Sequence, residues 1–102
     1  MQVVRGTLDA PLCVTDALAV HGTVAGPVRV TATAQLVLRG VCRGDLVVEP
    51  GARAEIWGIV DGNVINRGGD LRLFGIVTGY VDRAAGHTAV ASDFHAKRGF
   101  RG

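Results

Sequence analysis

The side chains here that could do chemistry unaided are His21, His87, His95, Cys13 and Cys42. A histidine can act as a general base if a partner orients it. A mixed Cys/His set can hold a metal if its members recur at ligand spacing. None of the three histidines has a Cys, Asp or Glu partner at such a spacing. Cys13 reads as a surface thiol, because reactivity would need a depressed pKa. Cys42 reads as a small buried hydrophobe. The glycines do not cradle phosphate either, since they lack the Lys-Ser/Thr and the strand-loop-helix context of a P-loop. The expectation is a non-enzymatic protein with no cofactor and no metal.

What must position these residues is a repeat. In LVLRGVCRGDLVVEPGARAEIWGIVDGNV, residues 36–64, the pattern apolar-x-Gly-x-apolar-x-Gly-x-apolar occurs twice. Leu38, Gly40, Cys42, Gly44 and Leu46 return 18 residues later as Ile56, Gly58, Val60, Gly62 and Val64. Upstream, at another step of 18, stand Val20, Gly22, Val24, Gly26 and Val28. Downstream, at a step of 17, stand Leu73, Gly75, Val77, Gly79 and Val81. A weaker copy, Val4, Gly6, Leu8, Ala10 and Leu12, opens the chain at a step of 16. A fixed period of this length signals stacked repeats rather than independent hairpins.

Alternation with period two is a strand signal. No single strand here could bury its apolar side alone, whereas stacked coils share one core. About 18 residues per coil allow three short strands and three corners. The prediction is an all-β, single-stranded parallel β-helix (β-solenoid) of about five coils of 16–18 residues, spanning residues 1–82. Gly22 and Gly26 share the inward parity of Leu18, Val20, Val24, Val28 and Val30, which predicts a corner or bend where the backbone comes close to the axis and φ can turn positive. The segment EPGA, 49–52, predicts a turn with Pro50 fixing φ and Gly51 supplying positive φ. Asn66 to Gly69 predict another, with Asn66 in a left-handed conformation.

Bulk properties bound the function. The 102 residues fit one domain. A formal charge of +2 is too small to argue for nucleic acid. No apolar run reaches a membrane span, and no signal peptide is recognised. Two cysteines make no disulfide framework, so a reducing, cytoplasmic location is expected.

The stretch from residue 36 to 64 resembles the core of bactofilins, bacterial cytoskeletal proteins that polymerise into filaments. That family carries I-x-G-x-V-x-G-x-I repeats of similar period, and the resemblance covers roughly residues 18–82. It implies a right-handed, three-sided β-helix, no nucleotide, and end-to-end assembly. The hexapeptide-repeat acyltransferases also use about 18 residues per coil and a histidine base. Their signature is an aliphatic residue every sixth position, whereas this chain alternates by two.

The outward columns separate early coils from late ones. One column reads Arg5, His21, Arg39, Trp57, Phe74, and the next Thr7, Thr23, Val41, Ile59, Ile76. A third ends in Asp45, Asn63 and Tyr80, and a fourth reads Cys13, Arg29, Val47, Ile65, Asp82. Trp57, Ile59, Phe74 and Ile76 therefore make an apolar patch with Val41 at its edge, and Tyr80 adds an aromatic nearby. Such a patch marks an interaction surface, or a surface covered by the chain's own C-terminal segment. Residues 83–102 break the pattern as a cap or tail. Thr88 to Lys97 fit either a short helix, with Val90 and Phe94 one turn apart, or a partial sixth coil. Val4, Phe94 and Phe100 are the candidate cap or assembly residues. Expected partners are further copies of the chain, or one protein bound as an inhibitor or immunity protein binds. Nucleic acid is not expected, and a membrane contact has no support in the residues.

Overall fold

The structure, a computed structural model, describes residues 2–92 and 94–101. The first three coils each contribute three strands: β1 (Gln2–Val4), β2 (Thr7–Leu8) and β3 (Leu12–Val14); β4 (Ala17–Val20), β5 (Thr23–Val24) and β6 (Val28–Val30); β7 (Gln35–Leu38), β8 (Val41–Cys42) and β9 (Leu46–Val48). Then come β10 (Arg53–Ile56), β11 (Ile59–Val60), β12 (Val64–Leu73), β13 (Ile76–Val77), β14 (Val81–Val90), β15 (His95–Ala96) and β16 (Phe100–Arg101). All pairings are parallel, and each joins one coil to the next. The result is a β-solenoid of about five turns with three strand stacks, its described residues all strand, turn or irregular.

The strand register follows the sequence period. Thr7 pairs with Thr23, Thr23 with Val41, Val41 with Ile59 and Ile59 with Ile76. The same steps recur on the third stack, where Cys13, Arg29, Val47, Ile65 and Asp82 lie one above another. Inward positions form a single column of Val, Leu and Ile. Val20, Val24, Leu46, Ile56, Val60, Leu73 and Val77 are all fully buried. Each such side chain contributes about 1.5–3 kcal/mol on burial. An exposed ion pair such as Arg29–Glu49, at 2.9 Å, contributes about 1 kcal/mol or less. The core column therefore holds the coils together.

The corners bring backbones close, as expected, but Gly22 and Gly26 do not take the expected positive φ. Gly22, Gly40, Gly58 and Gly75 do not have positive φ. They stack one above another, and a Cβ on any of them would be driven into the carbonyl oxygen of the glycine one coil below. Those oxygens are engaged: Gly22, Gly40 and Gly58 accept from the N–H groups of Val41, Ile59 and Ile76, each at 3.0 Å. Glycine is required by the close approach of two backbones, not by its conformational freedom. Pro50 and Gly51 do form the expected turn, with φ of 83° at Gly51 and the N–H of Ala52 donating to the Glu49 carbonyl at 3.1 Å.

Asn66 also departs from the expected turn. It lies within the continuous β12 rather than in a left-handed turn, and it is 2% exposed. Its Oδ1 accepts from the N–H groups of Gly68 and Gly69, at 3.0 and 2.8 Å. Its Nδ2 donates to the carbonyls of Gly69 and His87 and to Thr88 Oγ1. A buried amide satisfied in this way lets the strand turn the corner without a separate loop.

Of the two C-terminal alternatives, the chain adopts the coil. β14 crosses residue 82 and pairs with β12 as far as Leu73↔Val90. β15 then pairs with β13, and β16 with β14. Among the described residues of 88–97 no helix forms, because the strand register, and with it the hydrogen-bonded edge of β12, continues through Val90.

Candidate interaction surfaces

The patch read from the outward columns forms at the corner between β10 and β11 and on the adjoining face. Trp57 stacks on Phe74 with centroids 4.1 Å apart and planes 10° from parallel. The Arg39 guanidinium lies 5.6 Å from the Trp57 centroid. The column Arg39, Trp57, Phe74 is therefore one continuous stack, a geometry that favours both aromatic and cation–π attraction. Beside it, Ile59 pairs with Ile76 above and Val41 below. Trp57, Ile59 and Ile76 are 47%, 40% and 42% exposed, while Val41 and Phe74 are half-buried. The C-terminal segment stacks on the end of the solenoid and leaves this patch open.

Tyr80 is not part of that patch. It sits at the corner between β13 and β14, and its N–H donates to Asn63 Oδ1 at 3.0 Å. Asn63 in turn donates its N–H to Asp45 Oδ1, also at 3.0 Å. A polar pair, Thr78 Oγ1 donating to Asp61 Oδ1 at 3.0 Å, lies between Tyr80 and the isoleucines. Tyr80 therefore tops a ladder of backbone-to-side-chain hydrogen bonds through Asn63 and Asp45 on the far edge of the face.

The remaining candidates mark the two ends. Val4, Leu8 and Leu12 are half-buried against the core at the first coil. On their outer side, β1, β2 and β3 carry no further strand among the described residues. At the last coil, Phe94 packs partly against the core and lies 6.0 Å from Phe100, centroid to centroid. The Arg83 guanidinium covers the Phe100 ring at 4.6 Å. Val90 and Phe100 are still 41% and 38% exposed. The aromatic pair closes this end only in part.

The residues with potential chemistry are kept apart. His21 is exposed at the β4–β5 corner and His87 is exposed on β14, four coils away. The backbone of His95 lies on β15, on a different face from His87. Cys13 is exposed and Cys42 buried. Burial pushes the Cys42 thiol up to about 11, the Asp45 carboxylate adds to this, and a backbone hydrogen bond at Gly44 offsets part of it.

One arrangement was not anticipated from sequence. On the outer side of β10 and the second half of β12, Arg53 pairs with Asp70 and Glu55 with Arg72. Charge alternates both along each strand and between strands. The sign pattern was present in the 17-residue step, but only pairing places the four charges on one flat face.

No helix among the described residues is long and apolar enough to cross a membrane. Comparison of the chain with protein-family models, with curated proteins and with solved structures returns no match.

Proposed function

We propose that this chain is a non-enzymatic structural protein of the bactofilin type, which associates with copies of itself through its solenoid ends, its apolar face, or both. The observation that carries this reading is the pair of open ends. At the first coil, the outer edges of β1, β2 and β3 carry no further strand among the described residues, and Val4, Leu8 and Leu12, packed against the core, are only half-buried. At the last coil, Val90 and Phe100 are exposed beside unpaired edges of β15 and β16 among the described residues. Unpaired parallel edges backed by apolar side chains are templates for another chain. Each strand end offers the same backbone pattern that joins coil to coil inside the molecule. Negative-stain microscopy at high protein concentration tests the reading. Filaments or large assemblies are expected, and a field of single small particles at every concentration would contradict it.

A second reading is a compact binding module that offers the Trp57/Phe74 face to one protein, as an inhibitor or immunity protein would. It is favoured by the exposure of Trp57, Ile59 and Ile76 together. Replacing Trp57 and Phe74 by Ser separates the two. A partner complex lost in this variant, with self-association intact, supports the binding module.

A further inference from the structure

We propose that the outer face of β10 and the second half of β12 pairs side by side with the same face of a second copy, about a two-fold axis parallel to the strands and midway between them. The inference rests on the self-association proposed above. The face carries Arg53 and Glu55 on one strand and Asp70 and Arg72 on the next, each directly opposite a charge of the other sign. Two arginines and two carboxylates sum to zero, so the face exerts no net pull on a polyanion or on any partner of uniform charge. What it complements is its own pattern. A half-turn about the stated axis exchanges the two strands and leaves each column in place. Arg53 then faces Asp70 of the second copy, Glu55 faces Arg72, and Trp57 faces Phe74.

Two further observations fit this arrangement. No ion pair joins the four charges within one chain among the described residues, so their pairing capacity is left for another molecule. Asp70 itself is only half-buried on this face. It lines a depression of about 180 Å³ together with Gln35, Arg53, Glu55 and Arg72, with room for a guanidinium from the second copy. A half-turn about the perpendicular axis would also match opposite charges, but it would set Trp57 over the glycine corner at Gly51 and leave the aromatic stack unpartnered. The chosen axis makes the two solenoids run antiparallel. A face two strands wide is well below the size of a stable interface, so the pairing is weak and read best at high concentration.

The test is exchange of charges between molecules. Arg53→Asp and Asp70→Arg are made separately, and each is labelled with donor or acceptor dye at Cys13, the exposed thiol. Each variant alone places like charges across the axis, whereas a mixture of the two restores opposite charges in both contacts. Energy transfer is expected in the mixture with an apparent affinity at least tenfold tighter than in either variant alone. Circular dichroism checks that both variants fold. The pair Glu55→Lys and Arg72→Glu repeats the test should either of the first two fail to do so. Wild-type association with no gain on mixing overturns the side-by-side pairing and leaves self-association standing. Absence of any transfer between wild-type molecules at the highest concentration overturns both.

Discussion

Gly40 sits directly above Gly22, and the Gly22 carbonyl oxygen occupies the space that a Cβ on Gly40 would need. The same oxygen accepts the Val41 N–H at 3.0 Å, so it cannot move aside without breaking the ladder between β5 and β8. Gly40→Ala is predicted to cost at least about 3 kcal/mol. Gly6 is the contrast. Its φ is 81°, but a Cβ there meets nothing within 4 Å. Gly6→Ala should cost only the strain of a left-handed alanine, about 1 kcal/mol. Denaturant unfolding of the two variants checks the difference, and equal losses would show that the glycine column is not a backbone contact.

Asn66 replaces a loop by side-chain hydrogen bonds. Asn66→Ala removes acceptors from two backbone N–H groups and leaves both without a partner, Gly69 being buried. An expected loss of about 2–4 kcal/mol follows from two unsatisfied donors. Amide hydrogen exchange should accelerate first at Gly68 and Gly69. A variant with unchanged stability and exchange would remove Asn66 from this role.

How far the fold was legible depends on which interactions repeat. The coil period, the inward column and the outward columns repeat with the chain, so Val24, Cys42 and Val60 could be placed one above another without coordinates. Which of two reasons selects the glycines could not be read this way. Positive φ and close approach both select glycine, and only the neighbouring coil distinguishes them. Asn66 looked like a turn residue because its partners, His87 and Thr88, lie a full coil away. β14, β15 and β16 lost the glycine pattern but still pair with the coil before them, since backbone pairing does not need the side-chain signature. The Trp57/Phe74 stack was legible from the column. The charge alternation of Arg53, Glu55, Asp70 and Arg72 was not, because its significance lies in two dimensions.

Cys42 makes the protein sensitive to alkaline pH. Its thiol is raised from 9.0 to about 11 in the folded state, chiefly by desolvation. An acid with a raised folded pKa stabilises the fold below its unfolded pKa and loses that contribution as pH rises through the folded value. Stability should therefore fall from about pH 9 upward, by roughly 2 kcal/mol at pH 11. Cys42→Val, which copies the residue type of Val24 and Val60, should abolish that part of the decline. In the native protein a thiol reagent should modify Cys13 rapidly and Cys42 only on unfolding. Rapid modification of both, or an identical pH profile for Cys42→Val, would contradict the burial of this side chain.

The most direct test of the account is the weight-average mass from light scattering over a wide concentration series, with Val4→Lys run beside the wild type. Val4 is half-buried at the first coil, so the lysine puts a charge on the open end without entering the closed core. The wild-type mass is predicted to climb with concentration beyond a dimer. Val4→Lys should stop at small species, because side-by-side pairing alone cannot extend a chain of molecules. A wild-type mass that stays at the monomer value throughout would contradict the claim that this solenoid assembles with itself.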